Sequence, residues 1–354
     1  MPKKQKMTDS KKKLTTLKEL GEFGLIDKLT KDIKLKHPST IKGVGDDAAV
    51  LDYSGKQQVV TTDLLVEGIH FDLMYTPLKH LGYKAVVVNL SDVFAMNATP
   101  KQITVSLALS GKFSLEAVEQ LYEGIYKACE HYQVDLIGGD TTSSVTGLCI
   151  SITALGEIEK GKAVYRNTAK SGDLICVSGD LGAAYAGLQI LKREKEVFLV
   201  NPSSQPDMSG YDYVLERQLK PEARKDIFES LQKAGVIPTA MIDISDGLSS
   251  EILHICKQSG CGAKIMEGNL PIDVQTIQVA EELNMDPTLL AMNGGEDYEL
   301  LFTVNPNDAE RLYEVEGISV IGEILPKEQE VRLFGRGEGS TMIQAQGWNA
   351  YPEK

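Results

Sequence analysis

The chain has 354 residues, 42% of them hydrophobic and 25% charged, which is the composition of an ordinary globular protein and excludes a disordered or fibrous one. Its formal net charge of -13 excludes the electrostatic footprint of a nucleic-acid binder, and no apolar run approaches the roughly 18 to 20 residues of a membrane span. The five cysteines are scattered without a CxxC pair, so we expect neither disulfides nor structural zinc and place the protein in the cytoplasm.

The first half of the chain predicts one α/β or α+β domain, residues 14–158, behind a lysine-rich tail of residues 1–13 that we expect to be disordered. Apolar spacing from Leu14 to Thr30 indicates broken helical turns. Two strands are predicted within GVGDDAAVLD and QQVVTTDLLVEGIHF, with a turn at Ser54 and Gly55 between them. The remaining predicted elements are a helix from His80 to Phe94, a strand from Lys101 to Leu109, a helix from Leu115 to Tyr132, a short buried strand at VDLIGGD and a strand at CISITALGEI.

The periodic signal weakens at residues 159–162, which we interpret as a linker to a second domain of residues 163–354; the length of the chain also favours two domains. DLICVSGD predicts a strand that runs into GDLGAAYAGLQIL, a glycine turn opening a helix. NPSSQPDMSGYD is rich in turn formers and is placed on the surface between helices. MIDISDGLSSEILHICKQSG predicts a strand, an acid-bearing turn and a helix that ends at Gly260, and NGGEDYELLFTV predicts a turn followed by a strand.

The aspartates of the chain are concentrated at the ends of short apolar runs: Asp46, Asp47, Asp63, Asp92, Asp140, Asp243 and Asp246. Strand ends and strand-to-helix turns meet at one edge of an open α/β sheet, so several carboxylates are expected to converge. Converging carboxylates need a hard cation, and Mg²⁺ is commonly held by a few carboxylates with water and substrate phosphates. Glycines beside the acids, as in LIGGD and VSGDLG, let the backbone approach a phosphate. An isolated TTD or SD is more typical of a turn or helix cap, but their joint occurrence predicts phosphoryl transfer.

Other nucleotide and metal chemistry has no local support in the sequence. The chain contains no GxxxxGK[ST] loop, no HRD or DFG pair and no HExxH, and Gly43-x-Gly45 lacks the third glycine of a dinucleotide fingerprint. Three residues keep two interpretations. His70 is a half-buried histidine at a strand end or a phosphate ligand, Arg166 is a surface cation or a site residue, and Glu296 is a turn acid or a site residue.

Seven blocks of the sequence, in order, resemble the motif series of the thiamine-monophosphate kinase family: ELGEFGLID, GVGDDAAVL, VVTTDLLVEGIHF, NLSDVFAMNATP, LIGGDTTSS, IDISDGLSSEI and GGEDYELLF. The resemblance runs from about Glu19 to Trp348. It implies ATP-dependent phosphorylation of thiamine monophosphate to thiamine diphosphate with several magnesium ions. It also implies the two-domain fold shared with aminoimidazole ribonucleotide synthetase and selenophosphate synthetase, in a homodimer whose N-terminal sheets pair into a barrel.

The resemblance assigns roles residue by residue, with ATP expected in a cleft between the domains. The implied metal-binding positions are Asp47, Thr61, Thr62, Asp63, Asp92, Asp140, Asp243 and Asp246, of which Asp47, Asp63 and Asp246 are the implied catalytic set. The implied nucleotide contacts are Tyr122, Gly139, Arg166 and Ser245, and the implied contacts to thiamine monophosphate are His70, Glu296 and Trp348. We expect direct in-line transfer without a general base, because a phosphate monoester is already an anion at neutral pH.

Two positions depart from the family pattern: Asn97 stands where glycine is frequent, and Gln218 replaces a frequent histidine. Asparagine tolerates a left-handed turn, so little effect is expected at the first position, whereas any role of the second is in doubt. Selenophosphate synthetase would need a reactive cysteine near the N-terminus, but the first cysteine here is Cys129. An aminoimidazole ribonucleotide synthetase-like enzyme and a catalytically silent nucleotide-binding protein stay open as alternatives.

Overall fold

Alternating side chains give the first domain a sheet with one buried and one open face. The computed structural model describes residues 28–42, 50–335, 337 and 339–346. Its elements in the first domain are β1 (Thr40–Lys42), β2 (Val50–Leu51), β3 (Lys56–Val66), α1 (Leu78–Ala95), β4 (Thr99–Ser110), α2 (Leu115–Tyr132), β5 (Asp135–Ser144) and β6 (Cys149–Glu159). The main sheet has the strand order β3-β6-β4-β5, with β4 and β5 parallel and the other pairs antiparallel.

Helices α1 and α2 pack against one face of this sheet, where Leu81, Leu90 and Phe94 join the core with Ile103 and Ile152. The other face is lined by small polar side chains in register across the strands. Thr62 pairs with Thr153, Thr153 with Thr104, Ser151 with Ser106, and Ser106 with Asp140. At one end of this face Thr40 and Tyr53 cover Gln102, to which both are hydrogen-bonded, whereas the small polar residues further along the strands are at least partly exposed. Strands β3 and β5 are the two edges of the sheet.

The second domain is a mixed sheet with helices around it. Its elements are β7 (Leu174–Ser178), α3 (Ala183–Val200), α4 (Asp212–Leu219), α5 (Lys225–Ala234), β8 (Ala240–Asp243), α6 (Leu248–Ser259), β9 (Gly262–Met266), α7 (Val274–Glu282), α8 (Pro287–Asn293), β10 (Leu300–Val304), α9 (Ala309–Leu312), β11 (Ile318–Leu325), β12 (Val331–Phe334) and β13 (Ser340–Met342). The strand order is β13-β12-β9-β11-β7-β10-β8. Strand β10 is buried along its whole length, with Leu301 in one core and Phe302 in another, as expected for a strand covered on both faces.

Helix α1 also connects the two domains. The buried Lys84 Nζ donates to the main-chain oxygen of Gln218 at 2.9 Å. The phenol groups of Tyr83 and Tyr132 both donate to the Glu222 carboxylate, at 2.6 and 2.7 Å. These contacts hold the second domain against α1 and leave a cleft between the domains.

The two-domain α/β prediction is confirmed. The predicted helix Leu115–Tyr132 has the observed bounds, the predicted helix His80–Phe94 is extended by a few residues, and the polar stretch 201–212 lies on the surface between helices α3 and α4. The short buried strand predicted at 134–140 is wrong in length, because β5 continues through polar residues to Ser144 beside β4. The tail, the turns before residue 28 and residues 43–49 lie outside the described residues, and the exact domain boundaries stay a prediction.

Asn97 adopts the left-handed conformation, with φ of 59°, and its side-chain amide donates to the Lys162 carbonyl at 3.0 Å. The expectation that asparagine is tolerated there is confirmed, because the side chain gains a partner in the linker. Among the described residues no helix has the length and apolar character needed to cross a membrane.

Candidate active site

Two cavities meet at one aspartate. A main cleft of about 880 Å³ lies between the domains, and its lining includes Asp63, His70, Asp246 and Glu296. A smaller side cavity of about 390 Å³ is lined by Thr61, Arg166 and neighbours from β3 and α1. Asp92 lines both cavities. A ligand in one cavity can therefore meet a ligand in the other at this carboxylate.

The end of β3 and helix α1 supply one half of the acidic cluster. Thr61 and Asp63 are two residues apart on a strand, so their side chains share the face that turns toward α1. Thr61 Oγ1 donates to the Asp92 carboxylate at 2.6 Å, and the Asp63 N–H donates to Asn89 Oδ1 at 3.0 Å. Burial and the nearby charge of Asp92 raise the pKa of Asp63 to about 6. The surroundings of Asp63 and Asp92 therefore disfavour the ionised carboxylates unless a cation is bound beside them.

Asp243, at the end of β8, supplies the other half of the cluster. Its side chain is buried and lies close enough to Asp92 for the two carboxyl groups to interact electrostatically. Burial, followed by repulsion from Asp92, raises the pKa of Asp243 well above its ordinary value, while the charge of Arg166 opposes the shift. The two domains thus place two carboxyl groups side by side, with Arg166 as the nearby cation.

The turn after β8 carries Ser245 and Asp246 and opens helix α6. Glu251, one turn into the helix, accepts hydrogen bonds from the Asp246 N–H at 3.0 Å and from Ser245 Oγ at 3.4 Å. Gly247 has φ of 118°, and a Cβ there would lie 2.9 Å from the Asn293 carbonyl carbon, so only glycine fits. Glu251 is not among the predicted site residues, although an acid near the start of a helix, as in DGLSSE, commonly accepts hydrogen bonds from the turn before the helix.

The GGEDYEL segment is hydrogen-bonded along this turn. The Glu296 N–H donates to the Ser245 carbonyl at 2.7 Å, the Tyr298 N–H to the Ile244 carbonyl at 2.9 Å, and the Ile244 N–H to the Glu299 carbonyl at 2.7 Å. Glu296 and Tyr298 both have positive φ, 69° and 52°. Such a backbone is unfavourable for these residue types and persists only where its surroundings fix it. Glu296 is therefore more than an acid in a surface turn.

Two buried acids fix this strained segment. The Asp297 carboxylate accepts from the N–H groups of Gly182 and Ala184, at 2.7 and 3.3 Å, at the start of helix α3. The Glu299 carboxylate is fully buried between Arg217, at 2.8 Å, and Arg224, and it also accepts from Ser178. Asp297 thus caps the start of helix α3, an element distant from it in the sequence.

The Glu296 carboxylate lies in the main cleft between two partners that the sequence did not assign. Lys84 Nζ lies 3.0 Å from Glu296 Oε1, and Gln218 Nε2 donates to Glu296 Oε2 at 2.7 Å. Gln218, whose role the sequence leaves in doubt, thus contacts the predicted site residue Glu296 directly. His70 also lines the main cleft, where its Nδ1 accepts from the Val66 N–H at 3.1 Å and burial lowers its pKa. The neutral ring therefore carries its proton on Nε2.

Several predicted site residues lie apart from this group. Thr62 points to the open face of the sheet, where it donates to the Ile152 carbonyl. Asp140 is exposed on β5, at the opposite edge from β3, and Gly139 beside it has a packing role because a Cβ there would lie 1.8 Å from the Val105 carbonyl oxygen. Tyr122 is buried in α2 and lines neither cavity. Asp47 and Trp348 lie outside the described residues.

The donor set fits magnesium. Within the described ranges, no three His, Cys, Asp or Glu side chains form a group that could hold a metal alone. The acids instead stand as pairs, Asp63 with Asp92 and Asp92 with Asp243, in which the charge of Asp92 raises the pKa of its neighbour. Mg²⁺ is bound through one or two carboxylates plus water and substrate phosphates, and this arrangement of hard oxygen ligands suits that coordination.

Comparison with known proteins defines the class to which this fold and site belong. The family model "AIR synthase related protein, N-terminal domain" matches residues 45–158, and "AIR synthase related protein, C-terminal domain" matches residues 170–333. The chain is therefore a two-domain protein of the AIR synthase-related class. Structures of the hydrogenase maturation protein HypE share the fold, with a TM-score of 0.72 at 20% identity over 90% of this chain and 94% of that one.

Curated relatives narrow the class further. The thiamine-monophosphate kinase of Bacillus subtilis is 35% identical over 94% of this chain and 100% of its own length, and that of Aquifex aeolicus is 37% identical over 87% and 96%. The solved structure of AaThiL complexed with AMPPCP and TMP superposes with a TM-score of 0.73 at 34% identity over 95% of this chain and 98% of that one. The chain belongs to the thiamine-monophosphate kinase family, which confirms the resemblance drawn from its motifs.

Proposed function

We propose that the chain transfers the γ-phosphoryl group of ATP to thiamine monophosphate, producing thiamine diphosphate and ADP. The observation that carries the proposal is the position of Asp92 at the junction of the two cavities. Arg166 stands on the side-cavity wall, and His70 and Glu296 stand in the main cleft. The nucleotide in the side cavity and the acceptor in the main cleft would then meet at the paired acids. AaThiL, solved in complex with AMPPCP and TMP, supports a site that takes both a nucleotide and thiamine monophosphate.

The residues proposed to hold magnesium share hard oxygen donors near this junction: Thr61, Asp63, Asp92, Asp243 and Asp246. When bound, magnesium supplies positive charge that neutralises the carboxylates and the phosphate oxygens. Asp47, Thr62 and Asp140 stay proposed ligands on the strength of the family motif, as do Tyr122, Gly139 and Ser245 for the nucleotide and Trp348 for the thiamine rings. Asp47, Asp63 and Asp246 stay the proposed catalytic set.

The acceptor phosphate needs orientation rather than deprotonation, because its second pKa is near about 6 and it is already anionic at neutral pH. His70 is placed to donate from Nε2, since Nδ1 accepts from the Val66 N–H. Glu296 presents a carboxylate fixed on both oxygens, by Lys84 and Gln218, toward the positively charged thiazolium. Direct in-line displacement then follows from positioning and electrostatics, with no covalent phospho-enzyme.

We propose a homodimer built on the open face of the first sheet. Exposed Val60 and Leu64, together with the unpaired edges of β3 and β5, make this sheet incomplete in the described residues. Closing two such sheets into a barrel would join the β3 edge of one subunit to the β5 edge of the other. The partner's Asp140 would then approach Thr62, which explains why these two implied ligands lie on the open face. Light scattering that gave the 38.7 kDa monomer mass at micromolar concentration would contradict the dimer.

The test of the proposed activity is ADP release with MgATP, measured with thiamine monophosphate, with free thiamine and without acceptor. We expect rapid release only with thiamine monophosphate, and thiamine diphosphate as the product. Equal release with free thiamine would overturn the acceptor assignment, because the alcohol must lose a proton that the phosphate does not carry. Release that no acceptor stimulates would favour the silent nucleotide-binding alternative, and aminoimidazole precursors should give none. A cytoplasmic location and the absence of nucleic-acid partners stay predictions from composition.

A further inference from the structure

The C-terminal end of helix α6 brings two cysteines together. Gly260 takes a left-handed conformation, with φ of 68°, and the Cys261 N–H donates to the Cys256 carbonyl at 3.0 Å. The Gly260 N–H donates to the same carbonyl. In a helix end of this type, the side chains at these two positions come into contact. The Cys261 side chain accordingly packs against the core cluster to which Cys256 belongs.

The two thiols differ in access and in acidity. Cys256 is 3% exposed and belongs to the core of the second domain, whereas Cys261 is only partly buried. The neighbouring Cys256 thiol lowers the pKa of Cys261, while the Cys261 thiol and burial raise the pKa of Cys256. An accessible thiol with a lowered pKa beside a second thiol is the arrangement of cysteines that undergo reversible oxidation.

We propose that Cys256 and Cys261 form a thiol–disulfide exchange site that takes small-molecule disulfides of the glutathione class. The Cys261 thiolate attacks one sulfur of the disulfide, a mixed disulfide forms, and one thiolate leaves. Cys256 then loses its proton to solvent and attacks the Cys261 sulfur, which forms the Cys256–Cys261 bond and expels the second thiolate. The protein loses two protons and two electrons, equivalent to two hydrogen atoms, and the small disulfide is reduced to two thiols.

The site is separate from both cavities but is attached to a predicted nucleotide contact. Neither cysteine lines the main cleft or the side cavity. Ser259, inside the loop that the disulfide would close, donates to the Arg166 carbonyl at 3.2 Å and accepts from the Ala169 N–H at 3.2 Å. The new bond therefore forms in the turn that anchors the Arg166 segment.

The other cysteines give the comparison. Burial raises the pKa values of Cys129 and Cys176 to about 12, so both thiols should be unreactive in the folded chain. Cys149 is partly buried on β6 and serves as the control for an accessible thiol without a neighbour. Reactivity is thus expected at one place only among the cysteines, all of which the structure describes.

The experiment treats the native full-length protein with oxidised glutathione, then measures intact mass and maps the peptides without reduction. We expect a loss of two hydrogen atoms and a cross-linked peptide pair. Cys256→Ser should instead accumulate a stable glutathione adduct at Cys261, Cys261→Ser should stay unmodified over the same time, and Cys149→Ser should behave as the wild type.

A stable adduct on wild-type Cys261, no modification at all, or equal reactivity of Cys261→Ser would each overturn the proposal. Should Cys256→Ser fail to fold, the cross-linked peptide of the wild type decides the question alone. The proposal does not depend on the kinase activity, since its readout is covalent mass.

Discussion

Replacing Glu299 by Gln tests whether the buried ion network holds the substrate-binding segment in place. The carboxylate is fully buried, and its partners Arg217 and Arg224 have side chains only 18% and 15% exposed, so solvent screens the charges little. Removing one member of a buried pair costs about 3 to 5 kcal/mol, because the remaining charges are left without compensation. Glutamine keeps the shape and one acceptor oxygen, so we expect the lower end, about 3 kcal/mol.

The assay is urea unfolding of the wild type and the variant without ligands, together with steady-state kinetics. Glu323→Gln is the matched control, since the Glu323 carboxylate lies 3.8 Å from Lys264 with both side chains at least a third exposed, and such a pair contributes about 1 kcal/mol or less. The Glu299 carbonyl accepts from the Ile244 N–H, and the Ser245 carbonyl next along the chain accepts from the Glu296 N–H, so a shift at Glu299 should displace Glu296. KM for thiamine monophosphate should therefore rise in Glu299→Gln while KM for ATP changes little. Equal unfolding midpoints for both variants would refute the reasoning, as would a rise confined to KM for ATP.

Four further outcomes are expected. Asp63→Asn should lower turnover by about 10²-fold or more with the urea midpoint unchanged or raised, because it removes transition-state stabilisation and eases repulsion; unfolding at 25 °C would indicate a structural role instead. Burial lowers the pKa of His70, so the unfolded chain binds more protons than the folded one, and the free energy of unfolding should decrease as the pH falls below about 6.5. This decrease should be smaller in His70→Gln, as measured by urea titration at two pH values. Thiamine monophosphate should quench the fluorescence of Trp348, the only tryptophan in the sequence, and Trp348→Ala should weaken binding of thiamine monophosphate but not of ATP. Unchanged fluorescence on titration and unchanged kinetics of the variant would indicate that Trp348 has a packing role instead. Asp140→Asn should lower turnover in the dimer, and mixing it with Asp63→Asn should restore part of the activity if each site uses both subunits. No recovery would argue that Asp140 does not act on the partner's site.

Local pattern was enough to predict the elements that carry the cluster. The apolar spacing of α2 gave its observed bounds, Leu115–Tyr132, since a helix with one buried face has a strong 3.6-residue period. The acids at strand ends, Asp63 and Asp243, were found because short apolar runs stop there. Strand alternation alone also predicts that the Thr62 side chain lies on the opposite face of β3 from Thr61 and Asp63, although the three residues are consecutive in the motif.

Contacts between distant segments could not be predicted from one sequence. Lys84 and Gln218 meet Glu296 only because α1 and α4 flank the cleft, and no spacing along the chain reports that approach. Glu299 resembles any acid at the start of a strand until β10 is placed beside β7, where Ser178 and the two arginines surround it. Long-range pairing of this kind is set by tertiary packing rather than by local propensity.

The strand order also places Asp63 and Asp140 far apart, although the family motifs assign both to the metal site. Asp63 and Asp140 stand on β3 and β5, the opposite edges of a four-stranded sheet, so about three strand spacings of roughly 4.8 Å lie between them. Their side chains also face opposite sides, because Asp63 turns toward α1 while Asp140 pairs with Ser106 on the open face. One magnesium and phosphate site within a single described chain cannot use both carboxylates at contact distance. Either Asp140 acts on the partner's site across a closed barrel, or its place in the motif reflects the glycine-dependent packing of β5 against β4. The mixing experiment separates these two explanations, because only the first allows two inactive subunits to restore activity together.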